Sequence, residues 1–285
     1  MKHCPKTKKE GSLCDVLMIA HNRPEYLELA LPALLESGDE TLRVWVWQNE
    51  AYQQVTEIID KHIGHPRLHR VHRSTHNAKL REPTNWLWSE SDAPYVGKVD
   101  DDTLVPREWL ETLRVAHERY RQFGVLGCWV HPETDYDEGA ARKKISRFGG
   151  VKILENPWMA GSAYLMKRAC VQQNGVLSPD DTFPQYCVRL AWDGWINGWL
   201  LPLLLAEHMD DPRSPHCILK TQEDFEKFTP LTAKRNGVKT LEEWKELNRI
   251  SAVEILKGGK KAGRLFWIRR ALRRVLALQR ARAVA

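Results

Sequence analysis

The sequence predicts an α/β protein built on an open, mostly parallel sheet flanked by helices, with a helical C-terminal extension. Three observations carry this. Short apolar runs alternate with segments whose apolar residues recur at helical spacing. Successive units read strand–helix–strand–helix–strand, the pattern of a parallel sheet with ligands beyond the carboxyl ends of its strands. From Thr221 onward the pattern turns helical and charged.

Taken in order, Asp15 to Ala20 (DVLMIA) reads as a buried parallel strand, and the polar tail before it has no apolar core of a secretory signal. His21-Asn22-Arg23-Pro24 turns into a helix with Leu27, Ala30, Leu31, Leu34 and Leu35 on one face. Arg43 to Gln48 (RVWVWQ) alternates like a strand and is followed by Asn49-Glu50, a helix near 52–63 and a strand near 67–72. Thr84 is a cap-type residue ahead of the next helix. Tyr95 to Val99 is a short strand that runs into three carboxylates, Asp100, Asp101 and Asp102, before a helix led by Pro106. Trp109, Leu110, Leu113, Ala116 and Tyr120 mark that helix, and Val125 to Val130 the next strand. His131 to Gly150 reads as a long mobile loop. Leu200 to Ala206 is an apolar strand ending near His208, and Arg264 to Arg282 is a basic amphipathic helix with Leu265, Ile268, Leu272, Val275 and Leu276 on one face.

Like charges packed as closely as Asp100, Asp101 and Asp102 need a cation, hydrogen-bond donors or open water. Hard divalent ions take oxygen ligands, so the triplet points to a metal or phosphate-linked site. If the run continues the strand, Asp100 and Asp102 share one face and Asp101 takes the other.

Composition bounds the function. With 285 residues, 42% hydrophobic and 28% charged, the chain is long enough for one large domain plus an appendage, and no apolar run is long enough to span a membrane. Six cysteines (4, 14, 128, 170, 187 and 217) form no CxxC pair, which predicts reduced thiols in a cytoplasmic protein and no zinc site. The net charge of +6 is concentrated: from Lys257 to the end there are ten Lys and Arg and no acid, so the rest is net negative. A nucleic-acid binder would be basic throughout, whereas a basic amphipathic helix suits an anionic membrane surface.

The stretch KVDDDTLVP over 98–106 resembles the nucleotide-sugar site of family 2 glycosyltransferases on a GT-A fold, and the resemblance spans roughly Asp15 to His208. It implies that Lys98, Asp100 and Asp101 meet the nucleotide sugar, and that Asp102 binds a divalent ion, Mn²⁺ or Mg²⁺, with His208 completing the shell. Asp210, Asp211 and His216 in HMDDPRSPH are alternative ligands. The first loop, Ala20, His21, Asn22 and Arg23, would lie under the nucleotide. Asn49 or Glu50 stands where the family often has an Asp that meets the base. Asn77 and Arg81 match a segment beneath the nucleotide, although the usual adjacent Arg-Asn pair is absent. Trp158, Gly161 and Ser162 resemble the acceptor side. The order Asp180-Asp181, Arg189, Gly194-Trp195 and His208 resembles the family's second motif, in which an acid acts as base; Asp181, Asp180 and Asp193 are the candidates.

The resemblance and the pattern together give domains at 15–220 (GT-A) and 221–285 (helical, basic) behind a polar tail at 1–14. The resemblance implies an inverting, metal-dependent, hexosyltransferase-like enzyme that moves a sugar to an acceptor hydroxyl on a glycan or lipid; the unpaired cysteines point to the cytoplasm and the basic helix to the periphery of a membrane. Two alternatives stand beside it. A nucleotidyltransferase would carry a Gly-rich loop after the first strand, and AHNRPEY has no glycine. A non-catalytic, basic-tailed binding protein would owe all its affinity to the tail.

Overall fold

The computed structural model describes residues 11–263 and, beyond them, Leu272, Val275 and Gln279. The chain begins β1 (Cys14–Ala20), α1 (Pro24–Glu36), β2 (Leu42–Gln48), α2 (Gln53–Lys61), β3 (Leu68–Arg73) and α3 (Arg81–Glu90). It continues with β4 (Tyr95–Val99), a two-residue β5 (Thr103–Leu104), α4 (Trp109–Arg119), β6 (Phe123–Gly127) and α5 (Glu138–Ala141). Next come β7 (Ile145–Phe148), β8 (Val151–Glu155), β9 (Ala163–Lys167), α6 (Arg168–Asn174) and α7 (Phe183–Trp192). The last elements are β10 (Ile196–Leu200), β11 (Glu207–His208), α8 (Gln222–Lys227), α9 (Leu231–Arg235) and α10 (Leu241–Lys257).

Nine strands make one mixed sheet in the order β3-β2-β1-β4-β9-β6-β10-β8-β7. β1 pairs in parallel with β2 and β4, and β3 in parallel with β2. β9 runs antiparallel between β4 and β6, and β10 is parallel to β6. The carboxyl ends of β1, β2, β4, β6 and β10 therefore share one edge of the sheet. β1 is buried along its length because both faces are covered. Val16, Met18 and Ala20 enter the core under α1, α2 and α4; Leu17 and Ile19 enter the one under α3, α7 and α10. Pro24 opens α1 at a position where a missing N–H costs nothing, and a Thr182–Gln185 capping box opens α7. β9 approaches β4 so closely that a Cβ at Gly97 would lie 2.5 Å from the Tyr164 carbonyl oxygen.

Several elements depart from the sequence expectation. The stretch 131–150 is not a mobile loop: it folds into two 3-10 turns, α5 and β7, which pairs with β8 at the sheet edge. An edge strand is half solvated, so its polar residues hide the pattern. Lys144, in the 3-10 turn just before β7, is nevertheless buried, bonded to Asn156 Oδ1 and to the Ile255 carbonyl. The strand expected at 200–206 is displaced to Ile196–Leu200. There Asn197 is buried but satisfied: Val125 N donates to its Oδ1 at 3.0 Å and its Nδ2 donates to the Cys187 carbonyl at 2.9 Å. α3 begins at Arg81, ahead of Thr84, whose hydroxyl donates back to the Leu80 carbonyl. β6 ends at Gly127, short of the expected Val130.

The C-terminal extension packs on the sheet domain through α10. Trp244, Leu247 and Ile250 join Cys217 and Phe225 in a third core, while Ala252, Ile255 and Leu256 enter the core under α3 and α7. The five described cysteines are free and buried. Among the described residues no helix is long and apolar enough to cross a membrane. The N-terminal tail to residue 10 and most of the basic helix expected at 264–282 lie outside the described residues; Leu272, Val275 and Gln279 within it are helical.

Candidate active site

The acidic run lies at the carboxyl end of β4, and it does not continue the strand. Asp100 N donates to the Ser162 carbonyl at 2.8 Å and Thr103 N to the Asp100 carbonyl at 3.1 Å, so the chain turns at once into β5. The turn overrides the expected alternation, because Asp101 and Asp102 converge on one cation. Arg23 Nη2 donates to Asp101 Oδ1 at 3.0 Å and to Asp102 Oδ2 at 2.8 Å. Asp101 also accepts from His21 N at 3.3 Å. Asp100 instead pairs with the buried Lys98.

The small β5–β11 sheet brings the distant ligands in. His208 pairs with Thr103, and Met209 N donates to the Asp102 carbonyl at 2.8 Å. His208 Nε2 is then 3.8 Å from Asp102 Oδ2, and Asp210 follows with Oδ2 3.1 Å from Arg23 Nη1. One ligand atom each from Asp102, His208 and Asp210 lies within 4.8 Å of the others, a spacing suited to one ion. Two carboxylates and an imidazole, fixed by backbone pairing, fit a divalent ion of the Mn²⁺ type. Tyr26 OH donates to Asp210 Oδ1 at 3.4 Å, and Trp244 of α10 donates to the Asp210 carbonyl at 2.8 Å. The other two alternatives are committed elsewhere. Asp211 pairs with Arg213 at 2.6 Å, and His216 with Glu207 at 2.8 Å.

Burial and charge act in opposition on these carboxyls. Burial pushes Asp101 up to about 6, with Arg23 pulling it down. Asp102 is just as buried, at 6% exposure, yet Arg23 and then His208 outweigh the burial and hold it below the usual carboxylate range. Asp210 is raised by burial, opposed by Arg23. Asp102 is therefore the anionic centre of the cluster.

Among the residues expected to meet the nucleotide, His21 Nε2 lies 2.8 Å from Glu50 Oε2 and 3.1 Å from Asn77 Nδ2. Tyr52, which no motif singles out, packs edge-on against His21 at 5.3 Å and donates to Glu50 at 3.2 Å. Glu50 takes a left-handed backbone (φ 60°), uncommon for a residue with a Cβ and frequent at functional loops. Asn49 behaves differently from Glu50. It is buried, with Oδ1 accepting from Trp47 Nε1 and Ala78 N at 3.0 Å each and Nδ2 donating to the Lys79 carbonyl, so its amide holds the 77–80 loop. Ala20 is buried at the end of β1, and Asn22 is exposed in the following turn. Arg81 is exposed at the start of α3, with Nη2 3.5 Å from the Asp181 carbonyl.

Among the residues expected on the acceptor side, Gly161 stands beside Lys98 and Phe183, either of which a Cβ there would meet only at ordinary contact distance. Phe183 stacks on Tyr164, the cross-strand neighbour of Lys98, at 4.1 Å. This places Asp181, two residues before Phe183, on the same side as the acidic run. Its Oδ2 forms an ion pair with Arg189 Nη2 at 2.9 Å and accepts from Ser178 Oγ at 2.8 Å. Asp180 is exposed beside it. Asp193 caps the opposite end of the ten-residue α7, about 15 Å away at 1.5 Å per residue, where Ile196 pairs with Phe123 at the amino edge of the sheet. The structure does not bring Asp193 to the site. Nor does it offer the Trp158 ring as a sugar platform, since Trp158 is 5% exposed in the core under α3 and α7.

Comparison with known proteins agrees with this geometry. The sequence model of glycosyl transferase family 2 matches residues 15–176. No curated protein matches the chain. Among solved structures, the chain is similar to the mannosyltransferase PcManGT from Pyrobaculum calidifontis, determined with GDP-Man and Mn²⁺. The TM-score is 0.59 at 17% identity, over 94% of this chain and 81% of that one. It is also similar to S. aureus TarS residues 1–349 in complex with UDP-GlcNAc, with TM-score 0.54 at 12% identity, over 93% and 89% of the two chains. At such identities the likeness establishes the fold, GT-A. The family model, matching over more than half of the sequence, establishes the rest: the chain belongs to glycosyl transferase family 2 and is a glycosyltransferase.

Proposed function

We propose that the protein is an inverting, divalent-metal-dependent glycosyltransferase that moves a hexose from a nucleotide-diphosphate sugar to an acceptor hydroxyl. The observation that carries this reading is the convergence of Asp102, His208 and Asp210 at the strand edge where the family motif ends. An ion held there would neutralise charge on the departing diphosphate. The relatives' ligands, GDP-Man with Mn²⁺ and UDP-GlcNAc, support a donor of this chemistry.

The chain's own residues have separable roles in this reading. Arg23 and the N-terminus of α1 behind it present positive charge to the diphosphate. Lys98 and Asp100 flank the sugar beside Gly161, with Ser162 fixing the turn. His21, Glu50, Tyr52 and Asn77 frame the base and ribose, and Arg81 links that loop to the acceptor side. Asp181, held by Arg189 and Ser178, takes the proton of the acceptor hydroxyl as it attacks the anomeric carbon. The acceptor is a glycan or lipid-linked sugar, and the basic tail holds the enzyme at an anionic membrane surface on its cytoplasmic side, in keeping with exposed Leu272 and Val275.

Asp102→Ala tests the reading. It should abolish metal-dependent donor binding and leave the fold intact, while Asp100→Ala weakens nucleotide binding less completely. Calorimetry with UDP and GDP, with and without Mn²⁺, measures this. Undiminished metal-dependent affinity in Asp102→Ala would sink the assignment.

A further inference from the structure

Arg23 occupies a singular position: its guanidinium hydrogen-bonds Asp101 Oδ1 and Asp102 Oδ2 at 3.0 and 2.8 Å and forms an ion pair with Asp210 Oδ2 at 3.1 Å. Two of those three residues belong to the cluster spaced for a metal ion, and Asp102 Oδ2 is the oxygen nearest His208 Nε2. Arg23 is only 28% exposed, so its charge is poorly screened by solvent. A fixed cation on the same oxygens repels an incoming dication and also blocks lone pairs the ion needs. A guanidinium suits the diphosphate as well as it suits carboxylates, because its planar donors match either anion in pairs.

We propose that Arg23 competes with the divalent ion for Asp102 and Asp210 and yields them when a nucleotide diphosphate arrives to accept its hydrogen bonds. Ion and donor then bind as a pair, and the ion alone binds weakly. Arg23 sets this coupling without being an ion ligand. The inference rests on the reading of Asp102, His208 and Asp210 as the ion site.

Mn²⁺ titration followed by the paramagnetic resonance signal of the free ion separates the two ideas, using the full chain with and without UDP or GDP. The chain is compared with Arg23→Met, Arg23→Gln and Asp102→Asn. Arg23→Met should bind Mn²⁺ alone at least about tenfold more tightly than the unaltered chain, about 1.4 kcal/mol, and the gain from added nucleotide should shrink. Arg23→Gln keeps two donors for the carboxylates, guards against a folding defect and should shift the same way. Equal or weaker Mn²⁺ binding in both variants overturns the competition, even where Asp102→Asn confirms the site by losing the ion. Mn²⁺ binding that is unaltered by Asp102→Asn removes the ion site itself, and the proposal with it.

Discussion

Asp181 has its orientation set by Arg189 and Ser178, which both engage Oδ2, and in the proposed reading Oδ1 takes the acceptor's proton. A general base contributes about 10²–10⁴-fold to the chemical step and little to donor affinity. Asp181→Asn should therefore cut turnover by that range with near-normal donor binding, while Asp193→Asn, at the far end of α7, should be mild. Turnover and nucleotide affinity measured on Asp180, Asp181 and Asp193 variants decide this; collapse only in Asp193→Asn would show the acid misassigned. The family resemblance made Asp102 and His208 legible as candidate ligands, with Asp210 only an alternative beside Asp211 and His216. It could not choose Asp210 over Asp211, since that choice depends on Arg213, two residues on, claiming Asp211. Asn49 and Trp158 misled for the same reason: a polar or aromatic residue at the right place in order is drawn inward by partners that only the fold supplies.

Strands with a regular pattern were readable, β3 at the sheet edge included, and those whose pattern is broken were not, wherever they sit in the sheet. β1, β2 and β4 declare themselves as apolar runs, whereas β7 is disguised by its solvated positions and β10 by the glycine and asparagine within it. α4 carries a further device invisible to periodicity. His117 is buried on its inner face, donates to the Leu165 carbonyl at 3.0 Å, and is pushed down to about 3 by burial. Between that value and the ordinary 6.5 the unfolded chain takes up a proton that the native protein refuses, so His117 makes stability full above pH 6.5 and erodes it below. Each pH unit in that window costs up to about 1.4 kcal/mol from this one group. His117→Gln keeps an N–H for Leu165 and removes the titration. Denaturant unfolding from pH 7 to 4.5 should show a shallower loss in this variant than in the unaltered chain, and equal slopes would contradict the assignment.

At the scale of the whole molecule, the extension after residue 220 supports the site because α10 supplies Trp244 to the Asp210 carbonyl and buries residues in two cores. A chain ending at Gly263 keeps the Trp192 bond to the Ala262 carbonyl and should unfold cooperatively and bind nucleotide normally. It should also lose affinity for anionic vesicles, at roughly 1 kcal/mol for each Lys or Arg removed. A chain ending at Lys220 should lose ion binding and much of its thermal stability. Sedimentation with phosphatidylserine vesicles and thermal melts check both, and unchanged vesicle binding by the first truncation would refute the membrane role. The pairing of His208 with Thr103 also imposes an order on synthesis. As the polypeptide emerges from the ribosome, Asp100, Asp101 and Asp102 appear long before His208 and Asp210, and contacts so distant in sequence form late. Arg23 precedes them all. A growing chain thus has its own cation ready for the acidic run, and Asp102, His208 and Asp210 cannot come together until nearly three-quarters of the protein is made.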